Sequence, residues 1–206
     1  MASEPFFRAA VAALLVAFVL DRGHHNRRLP AARAETIERR PVGLSTRVAE
    51  VLSVVALFAT VAYVAFPAAV SWASAQLPTW LRWLGLGVAA LGFGLLEWSH
   101  AALGRNWSDE PRIIRGQVLV TAGPYRWIRH PIYAAFLLIL GSTFLVAASW
   151  LVGGLWTLAA AIDVAGRIAY EEEAMLRQFG PDYCAYRATT GALLPPIGRR
   201  SPRTPL

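Results

Sequence analysis

Apolar residues gather along this chain in five long blocks, at residues 5–21, 48–70, 80–103, 131–149 and 150–169. About 20 apolar residues carry a helix across the hydrocarbon of a bilayer. The pattern therefore predicts an all-α integral membrane protein with about five transmembrane helices. The first block is interrupted by Arg8, which is expected to snorkel to the interface. A signal-peptide core is the competing reading of that block. Asp21, Arg22, Gly23 and His24 follow it, however, where a small-residue cleavage site would be needed. Blocks four and five have only Gly153 and Gly154 to mark a turn, so they predict a tight C-terminal helical hairpin with tilt or local thinning.

The polar connections between the blocks set an orientation. Seven arginines lie between Arg22 and Arg47, five between Arg105 and Arg129, and five from Arg177 to Arg203, whereas the other two connections carry only Arg82. The positive-inside bias then puts the N-terminus outside and the C-terminus in the cytoplasm. Residues 104–130 and 170–194 become cytosolic segments, and the Pro- and Arg-rich residues 195–206 a poorly ordered tail. Composition agrees with a membrane class. Hydrophobic residues make up 56% and charged residues 16% of the 206, and the mean hydropathy is +0.43. A soluble domain carries about 25% charge. The net charge of +7 comes entirely from arginine. Its placement between apolar blocks fits topology, and no nucleic-acid partner is expected. A single cysteine, Cys184, excludes a disulfide or a Cys-based metal centre within one chain.

Chemistry-bearing residues concentrate on the expected cytoplasmic side. Block three ends in Glu97 and His100, followed by Gly104-Arg105-Asn106-Trp107-Ser108. Pro131 suits the first position of a helix, which places His130 at its N-cap, where free N–H groups and the helix dipole attract an anion. A plain capping role for His130 is the alternative. Asp163, Arg167 and Glu171 fall at i, i+4 and i+8 on one helical stripe. Glu172 and Glu173 exceed what a salt-bridge ladder needs, so the surplus carboxylates are candidates for a cation or for the hydroxyls and amine of a cofactor. Gly85, Gly87, Gly92 and Gly94 lie inside a membrane block with no preceding strand. That excludes a Rossmann loop and predicts close helix packing. His24 and His25 are expected as solvated surface, and no metal is assigned.

Three strings carry a family resemblance: Leu103 to Ser108; Leu119 to Tyr133, with Gly123-Pro124-Tyr125 and Arg129-His130-Pro131-Ile132-Tyr133; and Arg167 to Glu172, continuing to Phe179-Gly180, Tyr183 and Tyr186. Together they resemble the isoprenylcysteine carboxyl methyltransferase family, to which phospholipid methyltransferases are related. The resemblance covers roughly the C-terminal half. It implies a non-Rossmann membrane methyltransferase that uses S-adenosyl-L-methionine in a cytosol-facing pocket made by the last hairpin. By position, Leu119, Val120, Gly123, Pro124 and Tyr125 would line the adenosine side. Arg129, His130 and Tyr133 would meet the methionine part. Glu171 and Glu172 would hold cofactor polar groups, and Arg167 with Glu171 would serve the reacting centre. Glu97, His100 and Trp107 are the acceptor-side candidates. The family often has Gly where Ala135 stands.

The expected function is methyl transfer to a lipid-like or prenylated acceptor, with membrane lipid and a lipophilic acceptor as partners. The expected setting is a bacterial inner membrane with the active site on the cytoplasmic face. An NADPH-dependent sterol-reductase-like enzyme, which shares a His-Pro-x-Tyr pattern, and a non-catalytic membrane scaffold are the alternatives. The identity of the acceptor and the oligomeric state are not legible in the chain.

Overall fold

The structure is a computed structural model that describes residues 4–27, 36–39, 43–104, 112–114 and 118–196. Its body is helical: α1 Glu4–Arg27, α2 Leu44–Ala65, α3 Thr79–Leu103, α4 Pro131–Ala147, α5 Trp150–Phe179 and α6 Pro181–Thr189. The all-α expectation holds for this body. One small addition is an antiparallel ribbon of β1 Thr36–Arg39 and β2 Arg112–Ile114, with Thr36 opposite Ile114 and Arg39 opposite Arg112. The ribbon joins the α1–α2 connection to the segment after α3, so these two Arg-rich loops share one end of the bundle.

Among the described residues, three helices are long and apolar enough to cross a membrane: α2, α3 and α5. Helix α4 has 17 residues, about 26 Å at 1.5 Å per residue, a little under the ~30 Å hydrocarbon core. Helix α1 has 24 residues but carries Glu4, Arg8, Asp21 and Arg22. The outward faces are apolar, with Val51, Phe58, Val61, Leu84, Leu91 and Leu158 all exposed. In water such a belt would drive association; in a bilayer it is the lipid-facing surface.

Local chemistry sets the helix ends. Pro67 follows the C-cap Phe66 of α2 and opens a 3-10 turn, Pro67–Ala73. Pro78 precedes α3, and Gly104, at φ 50°, ends it. Gly180, at φ 49°, separates α5 from α6, which starts at Pro181. The α4–α5 turn differs from the expected one. It is made by Ala148, in the left-handed region at φ 47°, and by Ser149, whose side chain caps α5 by accepting from the Val152 N–H. Gly153 and Gly154 lie inside α5. Gly153 serves packing instead: a Cβ there would sit 2.1 Å from the Phe144 Cα of α4. The fifth block also runs on beyond residue 169, to Phe179.

Helix α4 is the centre of the bundle. Gly85 and Gly92, two turns apart on α3, bring that helix onto it: a Cβ on either would lie 2.7 Å from Leu145 Cβ or Ile139 Cγ1. Gly87 and Gly94 face open space, so only half of the glycine set packs. Ala135, at the position where the family often has Gly, is fully buried in this seam beside Leu96 and Ile139. On the other side, Phe7, Val11 and Leu15 of α1 pack with Tyr63, Leu140, Val146 and Val152. Arg8 does not reach outward; its guanidinium lies 5.8 Å from the Tyr63 ring. Arg82 lies in α3, not in a connection, and is buried. It ion-pairs with Glu4, donates to Val146 O at 3.0 Å and covers the Phe7 ring.

Candidate functional site

The site is built where α4 begins and α5 leaves the bundle. Helix α5 has 30 residues, about 45 Å, longer than the ~30 Å hydrocarbon core, and the site uses its last turns. They carry Arg167, Glu171 and Glu172 beside the start of α4. His130 is the N-cap of α4, as expected, but its side chain makes no capping hydrogen bond. Instead Nδ1 lies 3.3 Å from Glu171 Oε2 and Nε2 lies 3.3 Å from Glu172 Oε1. An imidazole facing a carboxylate from each nitrogen is best satisfied as the cation, which donates from both. Burial disfavours that charge, but the two carboxylates outweigh it and hold the His130 pKa above its ordinary 6.5.

The three consecutive glutamates have three separate roles. Glu171 accepts from the Tyr133 hydroxyl and faces His130. Glu172 takes Arg129 Nε at 2.8 Å, Arg187 Nε at 3.1 Å and His130. Glu173 is exposed and pairs with Arg177 at 2.6 Å. Asp163 and Arg167 form the ladder pair at 2.7 Å. The surplus of carboxylate is thus taken up largely by Arg129, His130 and Arg187. Glu171 keeps 27% of its side-chain exposure against 12% for Glu172.

A C-terminal strap closes one flank. Arg129 N–H donates to Gly191 O at 2.8 Å, His130 N–H to Ala192 O at 3.0 Å, and Gly191 N–H to Trp127 O at 3.1 Å. Arg129 also donates to the Thr190 carbonyl. Gly191 is required here, because a Cβ would lie 1.7 Å from Leu194 O. Tyr186 donates to the Tyr125 carbonyl at 2.6 Å, tying α6 to the 3-10 turn Gly123–Arg126. Burial pushes the Tyr186 phenol up to about 12 and raises those of Tyr125 and Tyr183 as well, so all three remain neutral hydroxyls. Arg187 was expected only as one of the arginines that set orientation, and Thr190 and Gly191 were not among the candidate site residues. Only an Arg beside the two motif tyrosines hinted at them.

The remaining predicted residues are more dispersed. Pro124 and Tyr125 are buried in the 3-10 turn. Leu119 and Val120 are half-buried in irregular chain before it. Gly123, at φ 59°, serves close approach to α3, since a Cβ would lie 2.8 Å from Ala102 Cβ. Glu97 and His100 do not join the His130 group. They meet Asp21 and His25 of α1, with the His25 and His100 rings stacked 3.8 Å apart. His25 is therefore not solvated surface; its side chain is 12% exposed, while His24 is exposed. Phe136 lies between the two groups, 6.2 Å from Tyr133 on one side and under Arg22 at 5.2 Å on the other. Trp107 lies outside the described residues.

This geometry can be set against known proteins. The sequence model of the isoprenylcysteine carboxyl methyltransferase (ICMT) family matches residues 83–177. The chain is 32% identical over 118 residues to a protein-S-isoprenylcysteine O-methyltransferase of Tribolium castaneum, covering 56% of this chain and 42% of that protein. It is 29% identical over 94 residues to the uncharacterized protein YpbQ of Bacillus subtilis (strain 168), covering 45% of this chain and 56% of that one. The chain thus spans about half the length of these curated relatives. The solved structure of the eukaryotic intramembrane Ras methyltransferase ICMT superposes with a TM-score of 0.66 at 25% identity, covering 95% of this chain and 68% of that chain. The matched stretch, a little under half of the chain, holds Arg129, His130, Tyr133, Arg167, Glu171 and Glu172, and the resemblance carried by the motifs is matched there: residues 83–177 are similar in sequence to the isoprenylcysteine carboxyl methyltransferase family, and the helical fold is similar to that of its solved member.

Proposed function

We propose that this protein transfers a methyl group from S-adenosyl-L-methionine to a lipid-like or prenylated acceptor at the cytoplasmic face of a membrane. The observation that carries the reading is the convergence of His130 and Tyr133 from α4 on Glu171 from α5, within the stretch that matches the family. The donor set fits such a cofactor, whose polar groups are hydroxyls, an ammonium and a carboxylate. The partly open Glu171 is an acceptor for the first two, and Arg167 is a cation for the third.

When bound, the cofactor supplies an electrophilic methyl on a sulfonium. The chain's own contribution is alignment and exclusion of water, which dominate an in-line displacement. Tyr133 and His130 hold Glu171 in one rotamer by bonding both its oxygens. Asp163 holds Arg167 by its Nε, which orients the guanidinium. The strap through Gly191, fixed by Arg129 and Glu172, covers one flank. A carboxylate acceptor needs no base, whereas an amine or phenol would need one, and Glu97 and His100, the expected bases, lie apart from the His130 group with Asp21 and His25.

The deciding experiment is thermal unfolding of the detergent-purified chain with S-adenosylhomocysteine and, separately, with NADPH. A saturable rise in Tm with S-adenosylhomocysteine alone is expected. A rise with NADPH alone would establish the reductase-like reading, and a rise with neither would favour a scaffold.

A further inference from the structure

Asp21 and His25, one turn apart on α1, meet Glu97 and His100 near the end of α3. One ligand atom from each of the four lies within 4.8 Å of the others. We propose that this group is a binding site for one divalent transition-metal ion, with Zn²⁺ as the best match, and that the ion clamps α1 to α3. The inference is independent of the methyltransferase reading.

The ligand types fit. Two imidazoles and two carboxylates are a nitrogen–oxygen set that zinc accepts in four-coordinate form. Their two negative charges balance a divalent cation. The spacing is also close. Ligand atoms about 2.0–2.1 Å from a tetrahedral zinc lie about 3.4 Å from one another. His25 Nε2 is 3.8 Å from Glu97 Oε2. Closing the set to that size turns the His25 and His100 rings out of their 3.8 Å stack, so that both lone pairs meet one ion.

A second observation points the same way. His25 Nδ1 lies 3.1 Å from the Asp21 carbonyl oxygen, to which it can donate. A backbone carbonyl behind one ring nitrogen sets the tautomer and aims the lone pair of the other, as is usual behind metal-bound histidines. Here the aimed atom is Nε2, on the side of Glu97. The stacking of His25 on His100 at 3.8 Å also disfavours charging both rings, and a neutral imidazole is the form that binds metal. Three of the ligands are sheltered, with His100 buried and the Asp21 and His25 side chains 11% and 12% exposed. Glu97, at 61%, is the open side through which an ion exchanges.

The test is zinc titration of the full chain in detergent after EDTA treatment, read by calorimetry, with Co²⁺ absorption as a second readout of coordination number. One Zn²⁺ per chain with micromolar or tighter Kd is expected, with four-coordinate Co²⁺ bands. Glu97→Gln and His100→Gln should each weaken binding at least about tenfold, while His24→Ala leaves it unchanged. The exposure of Glu97 keeps Glu97→Gln folded, so that variant decides alone if His100→Gln unfolds. No binding at submillimolar Zn²⁺, or wild-type affinity in Glu97→Gln, would overturn the proposal. So would a loss of binding in His24→Ala alone.

Discussion

His130 and Glu172 meet across the α4–α5 hairpin, Nε2 to Oε1 at 3.3 Å, from positions 42 residues apart. Glu172 also receives Arg129 and Arg187, so one carboxylate gathers the start of α4, α5 itself and the end of α6. Its neighbour Glu171 is the more open of the two. This division of labour separates two substitutions that look equivalent in sequence.

Glu172→Gln removes the charge that three cations share. A lost charged hydrogen bond costs roughly 1.5–3 kcal/mol, so Tm should fall, and cofactor affinity should fall only as far as unfolding dictates. Glu171→Gln should lower Tm less, through its weakened contacts to Tyr133 and His130, while S-adenosylmethionine affinity drops about ten- to a hundredfold beyond what unfolding dictates. Thermal unfolding and calorimetric titration of both variants check this. The opposite pattern would reverse the two roles.

Arg167→Lys keeps the charge but loses the planar fork held by Asp163. Turnover should decline more than cofactor binding, because the loss is one of orientation. Methyl transfer to a synthetic farnesylated cysteine, compared with cofactor Kd, gives the ratio. Equal declines would mean that Arg167 contributes binding alone.

Stability should depend on pH through His130. Its folded pKa is raised above 6.5 by Glu171 and Glu172. The folded state therefore holds the proton more tightly, and this contribution is complete below the unfolded value and lost as pH rises through the folded one. Tm should fall from pH 6.5 upward, and His130→Gln should flatten that part of the profile. An unchanged slope in the variant would assign the dependence elsewhere.

Gly153→Ala forces a methyl to within 2.1 Å of the Phe144 Cα, whereas Gly154→Ala meets nothing within 4 Å. Overpacking costs about 1–3 kcal/mol. The first variant should lower Tm by several degrees, and the second should leave it unchanged or raise it. Equal effects would mean that α4 and α5 are not in close contact there.

The chain's own pattern determined the helical body and the apolar character of α2, α3 and α5, because burying backbone in lipid leaves a helix few alternatives. Local rules placed Pro131 first in α4 and His130 at its cap, and the motif strings identified the helices that carry the candidate cofactor residues. Contacts between helices were not legible. Spacing along α5 set Glu171, Glu172 and Glu173 on neighbouring faces, but only packing decided that the first turns to Tyr133, the second to Arg129 and Arg187, and the third to Arg177. Gly153 looked like a turn because glycine permits both a turn and a close contact, and Phe144 on the facing helix made it the latter. His25 read as surface because its neighbours in sequence are polar; Glu97 and His100 enclose it from more than 70 positions away. Sequence periodicity is set by one chain's helical repeat, whereas these partnerships depend on how separate helices rotate against each other, and only the tertiary structure decides that.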